Sequence, residues 1–419
     1  MATKLARVVQ FNGTAEAPLR HVHLTNVTIA HAAYTYMEPY EVPSGGDWAI
    51  HRGASVFADG AESVSISGNH FDQIDGNGVF LSRYARNCSI SNNDFSMIGD
   101  SAILVVGASG RGMIDNSKNR NYPAYNLIEG NHVDTVGVWV KQTAAYFKSV
   151  TRENTIRNNV FHDSPRSLVN WNDGMAGGEI LEGNMLLNSV KESNDHGPFN
   201  SWDRQPYVYR IEEDNMQSKL AVSPQTMTIA NNLVYNFNFH GQSCGSIAID
   251  FDDETSQMNV SSNVLVYGSI KTFDGMDRRI WDNLILYAHN ANRQATSCCL
   301  AALQAKRNVS SDHTWFHDNH CVLPADDNSL YECGAGPGPF ANVSYHIHTW
   351  DNHYYFPDQK TLPTAAGWGC NLWEGHPPKL AGPNNWTAWQ AAGLDVGSTL
   401  SLDFSDSAIL AAAKQRLGL

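Results

Sequence analysis

The segment AIDFDDE places four acids, Asp250, Asp252, Asp253 and Glu254, within five residues. With Ile249 and Phe251 turned to a core, strand alternation puts Asp250 and Asp252 on one face, roughly 7 Å apart. Carboxylates crowded in this way repel one another, and some of their pKa values must rise. Paired carboxyls of this kind break glycosidic bonds, one as acid and the other as base or nucleophile. Taken alone, the segment also reads as a solvated acidic edge or a Ca²⁺ site. A second polar stretch, ESNDHGPFNSWDR, carries Asp195, His196, Trp202, Asp203 and Arg204. A third, VNWNDG, carries Asn170, Trp171, Asn172 and Asp173, with Arg166 just before it; a fourth, SIKTFDG, carries Lys271, Phe273 and Asp274. Amides and cations suit sugar hydroxyls, and indoles suit pyranose faces.

These stretches lie far apart along the chain, so something must bring them together. The pieces SISGNHFDQI, SISNNDFSMI, LIEGNHVDTV, TIRNNVFHDS, ILEGNMLLNS, TIANNLVYNF, NVSSNVLVYG and RIWDNLILYA align on one Asn. The pivots are Asn69, Asn93, Asn131, Asn159, Asn184, Asn232, Asn263 and Asn283, with Asn319 and Asn352 as degenerate continuations. The closest are about 20–25 residues apart, a solenoid period. A strand, an Asn corner and a second strand, repeated, make an all-β, right-handed parallel β-helix whose coils stack at ~4.8 Å. Asn tolerates a left-handed backbone, and its amide can ladder from coil to coil. Third strands then follow from GNGVFLS, GDSAILV, SLVNWND, HGPFNSWDR, SIAIDFDDE and SIKTFDG, forming one wall. On that wall the acids, amides and cations span about four rungs, ~15 Å. The β-helix is expected over residues 1–355. From 356 to 419 the pattern stops, and WTAWQAAGLDV and SDSAILAAAKQRL read as short helices of a capping tail, with Ser405 or Asp406 as N-cap.

Bulk composition narrows the partners. The net charge of −14, from 28 basic and 42 acidic residues, repels phosphate backbones and anionic lipid, so neither nucleic acid nor membrane is an expected partner. No apolar run reaches the roughly 18 residues of a membrane span. The seven cysteines show no CxxC or His/Cys ligand spacing, so no metal site is expected. Five of them follow residue 290, which suits one or two disulfides there. Asn-x-Ser/Thr sequons at seven positions weakly favour an extracellular protein whose leader is absent from this sequence.

The Asn-pivoted coils resemble those of the pectin-lyase-like superfamily. The segments NDGMAGGEI, DHGPFNSWDR and IDFDDE resemble glycoside hydrolase family 141, over roughly residues 15–300, with a fainter likeness at Trp386–Ser398. The resemblance implies a polysaccharide or oligosaccharide of plant or algal type as substrate, with catalytic acids at Asp203 and one of Asp250, Asp252 or Asp253. It differs in that DDETS stands where an Asp-Asp-Gly-Ser turn is usual. A hydrolase without cofactor is the leading reading. A lyase would instead use Arg166, His196, Arg204 or Lys271 as base, with Ca²⁺ in the acidic cluster. A non-catalytic carbohydrate-binding β-helix is the third reading. Lesser features are Asp100, stacked near Asn77, which reads first as a turn cap and second as a groove-lining acid; His162 and Asp163, which read as exposed neighbours of an Asn corner or as subsite residues; and His313, His317 and His320, which a strand would scatter.

Overall fold

The structure is a computed structural model. It describes residues 4–41, 48–108, 122–173, 177–193, 196–202, 209–211, 218–220, 225–236, 247–288, 299–304, 313–323, 330–335, 346–357, 359–362, 365–368, 384–391 and 393–419. The chain forms a right-handed parallel β-helix that divides into two compact units. One comprises residues 1–193 and 201–228, the other 194–200 and 229–419.

In the first unit each coil gives one strand to each of three parallel sheets. The coil around Asn93 shows the pattern, with Val79–Arg86, Ser89–Ser91 and Asp94–Ser96 joined by tight corners. Each three-residue strand buries its middle residue and leaves its flanks half-covered. Like residues therefore stack inside: Ile66, Ile90, Ile128, Ile156 and Leu181 in one column, and Phe71, Phe95, Val133, Phe161 and Leu186 in another. Phe71 and Phe95 lie face to face at 4.5 Å.

The Asn ladder forms in both units. Each pivot gives its backbone N–H and its Nδ2 to Oδ1 of the pivot in the next coil, from Asn69 through Asn93, Asn131 and Asn159 to Asn184. In the second unit the same pairs of bonds run from Asn232 through Asn263, Asn283 and Asn319 to Asn352. One detail of the expectation is corrected. The left-handed residue is the one before the pivot, as at Asn92, Gly130, Asn158, Asn231, Asp282 and Asp318. The chain turns there, and the pivot itself is selected for its amide. A second ladder, absent from the sequence reading, runs from Asn126 to Asn154 and ends on the buried carboxylate of Glu179.

In the second unit the last coil is closed by the strand Thr399–Ser401, paired with His353–Tyr355. Its pivot is Ser398, which follows left-handed Gly397 and takes the N–H of Asn352 on its hydroxyl, while fully buried Asp395 accepts hydrogen bonds from Asn352 Nδ2, Tyr331, Tyr354, Trp389 and the Ser398 hydroxyl. The helix Asp406–Leu417 is capped by the Ser405 hydroxyl and ended by left-handed Gly418. It lies along the side of a sheet: Ile409, Ala412, Ala413 and Leu417 pack on Val264, Leu284, Leu286 and Val322. Arg416 fixes it through the carbonyl and carboxylate of Asp282, at 2.6 and 2.8 Å. Three described cysteines, Cys88, Cys299 and Cys321, are buried thiols outside any disulfide, which corrects the expectation for Cys299 and Cys321. Among the described residues no helix is long and apolar enough to cross a membrane.

Candidate functional site

The acidic strand lies in the second unit. Ile247–Phe251 pairs in parallel with Ser269–Phe273, and the register sets Asp250 opposite Lys271, with Ile249 opposite Ile270. Ile249 and Phe251 are wholly buried in the core, so Asp250 and Asp252 share the other face. The Lys271 ammonium joins them, 3.0 Å from Asp250 Oδ1 and 3.2 Å from Asp252 Oδ1. Two oxygens bonded to one ammonium are at most about 6 Å apart. His196 lies 3.9 Å from the other oxygen of Asp250. Past the strand, Asp253 and Glu254 adopt positive φ, and Thr255 closes the turn by donating its N–H and hydroxyl to the carbonyl of Asp252.

Burial decides the electrostatics. Asp250 is 0% exposed, whereas the Asp252 side chain keeps 19% of its surface. Loss of solvent raises Asp250 from 3.8 to about 6; Lys271 and His196 lower it, and Asp252 raises it further. A buried acid held above the usual carboxylate range thus stands beside a more exposed one, with one cation shared between them. The Lys271 ammonium is also 5.8 Å from the Phe273 ring.

The candidates of the first unit lie differently. Asn170 and Asn172 are on one face of the strand Val169–Asn172, joined by a 2.8 Å bond from Asn170 Nδ2 to Asn172 Oδ1. Trp171 is on the opposite face, fully buried beside Lys148, whose ammonium is 5.8 Å from its ring. Trp202 packs into a cluster with Trp48, Phe80 and Phe147. Neither indole offers a face to solvent, so stacking on a sugar is not open to Trp171 or Trp202 in this structure. Arg166 stacks on the Trp48 ring at 5.1 Å. Asp173, with φ 39°, is buried in a turn, and its carbonyl accepts from Lys148 Nζ at 3.2 Å. Asp195, Asp203 and Arg204 lie outside the described residues.

Two buried acids of the first unit escaped the sequence reading as charged sites. Glu179 ends the second Asn ladder inside the coil, with the charge of Lys148 opposing the rise that burial imposes. Asp100, read as a turn cap, accepts a hydrogen bond from the Tyr40 hydroxyl at 3.2 Å, and burial raises it to about 7. The only sequence signal for either was its place one coil from a neighbouring Asn.

No family model matches the chain, and no curated protein does. Similar solved structures include one described as a glycoside hydrolase, 10% identical, with a TM-score of 0.43 over 84% of this chain and 51% of that one. A complex of XylC with xylose is 11% identical, with a TM-score of 0.45 over 93% of this chain and 54% of that one. A variant tailspike protein of E. coli bacteriophage HK620 in complex with a pentasaccharide is 11% identical, with a TM-score of 0.41 over 83% and 57%. The chain spans little more than half the length of each.

Proposed function

We propose that this protein is a carbohydrate-active enzyme, a glycoside hydrolase whose reacting groups include Asp250 and Asp252. The observation that carries this reading is the pair of carboxyls on one ammonium, one fully buried and one partly exposed. Asp250, still partly protonated near pH 6, is the proton donor to the leaving oxygen. Asp252 is the base or nucleophile on the sugar, and Lys271 steadies the charge that the pair gains or loses. Oxygens no more than about 6 Å apart fit direct attack by Asp252 better than attack through an intervening water. The substrate in this reading is a plant- or algal-type polysaccharide outside the cell.

Of the bases open to a lyase, Lys271 would have to act as a neutral amine, and two carboxyl groups within 3.2 Å oppose loss of its proton. The binding-only reading has one observation in its favour, the complete burial of Asp250, which also suits a structural ion pair. Reducing-end release from a panel of plant and algal polysaccharides separates the three. For a hydrolase, Asp250→Asn and Asp252→Asn each lower turnover by about 10²–10⁴-fold, with the thermal transition retained. Unsaturated products would assign a lyase. Glycan binding without any release, unaltered in both variants, would leave only a binding module.

A further inference from the structure

We propose that the outer face of the third sheet in the first unit binds a divalent transition-metal ion between His132 and His162. The strands Asp94–Ser96, His132–Asp134 and Val160–His162 pair in parallel, with Asp94 opposite His132 and Asp134 opposite His162. Phe95, Val133 and Phe161 point into the core, so alternation turns Asp94, His132, Asp134 and His162 outward together. Nε2 of His132 lies 3.0 Å from Nε2 of His162.

The other nitrogen of each ring is engaged. His132 Nδ1 is 2.7 Å from Asp94 Oδ1, and His162 Nδ1 is 2.8 Å from Asp163 Oδ2. A carboxylate only accepts, so this network makes each Nδ1 the donor and leaves a lone pair on each Nε2. Two lone pairs facing at 3.0 Å repel unless a cation lies between them, either a proton shared as an N–H···N bond or a metal ion. Nitrogens about 3 Å apart are also where neighbouring ligands stand around an ion with metal–nitrogen bonds of about 2.0–2.1 Å.

The surroundings are those of a supported site. A carboxylate on the far nitrogen fixes the tautomer of a metal-binding imidazole and increases its basicity, and both rings have one. Each carboxylate is itself held: Asp94 by His70 at 2.9 Å, Asp163 by Lys191 at 2.8 Å and by Asn188. Asp134, 3.5 Å from His162 Nδ1, adds negative charge, and ligand atoms of Asp134, His162 and Asp163 all lie within 4.8 Å of one another. The group is partly exposed, so an ion can enter from solvent and keep water in its remaining positions. Imidazole pairs suit Ni²⁺, Cu²⁺ and Zn²⁺. Because His132 and His162 belong to successive coils, the ion ties one coil to the next and stabilises the fold by mass action.

The test is titration of the chelator-treated full chain with Ni²⁺ by calorimetry. The wild type takes up one tight equivalent more than His132→Gln or His162→Gln, and Asp94→Asn keeps that equivalent with affinity weakened about 10–100-fold. Cu²⁺ at one equivalent shows superhyperfine coupling to two nitrogens in the electron paramagnetic resonance spectrum of the wild type. Equal uptake by the wild type and both histidine variants overturns the proposal. So does a Cu²⁺ spectrum without nitrogen coupling, a readout that holds even if a variant fails to fold.

Discussion

Asp100 shows what burial does to one carboxyl. It is 2% exposed, takes a hydrogen bond from Tyr40, and is raised from 3.8 to about 7 by loss of solvent. Its folded value lies above the unfolded one, so the native state holds the proton more tightly. The stabilisation is therefore complete below about pH 4 and is lost as pH rises through 7. Asp100→Asn, a neutral mimic of the acid, should match the wild type near pH 4 and exceed it in urea midpoint by pH 8; parallel midpoint curves would refute this. Asp250 follows the same sign, with a folded value of about 6. If it is the proton donor, kcat/KM on a cleaved glycan falls as pH rises above about 6, and a profile flat to pH 8 would remove that role. That Asp250 and Asp252 share a face was legible in IDFDDE from alternation alone. The burial of Asp250 was not, because it depends on what covers the outer side of the strand.

Among the elements, the Asn corners are the most legible, and for a reason the structure amends. Asn159 donates its N–H and Nδ2 to Asn184 and accepts the same two bonds from Asn131, while Nδ2 also reaches the carbonyls of Ile128 and Arg157. Asn159→Ala orphans donors and acceptors on both neighbouring coils, at about 1–3 kcal/mol for each buried group left unpaired. A loss of about 3 kcal/mol in urea unfolding is expected; a change under about 0.5 kcal/mol would mean that the ladder is incidental. The repeated Asn was plain because its spacing recurs. The left-handed residue before it was missed because Gly, Asn, Asp and Ser share that place, and no single letter repeats. Glu179 and Ser398 were missed as ladder ends for a related reason: a carboxylate stands for the amide in one, a hydroxyl backed by Asp395 in the other, and both drop out of the alignment.

For the whole molecule, the acidic balance and the helix Asp406–Leu417 bear on solubility. The helix covers Val264, Leu284, Leu286 and Val322 on the outside of a sheet in the second unit. Ending the chain at Ser401 should expose that strip and cause self-association in light scattering, despite the net charge of −14. A truncated chain that stays monomeric at wild-type stability would show the helix to be dispensable. The tail helix was visible in SDSAILAAAKQRL, but its seat was not, since a cap across an open end and a strap along a side both begin from the same short helix. By itself the sequence determined the coil, its period, its polar corners and the alternation that puts Asp250 beside Asp252, because these follow from local geometry repeated at a fixed interval. Tertiary structure alone decided that Trp171 and Trp202 are packed away, that Lys271 joins the two acids, and that His132 meets His162. Those outcomes depend on register between coils and on which loops cover them, and neither quantity is carried by residues adjacent in the chain.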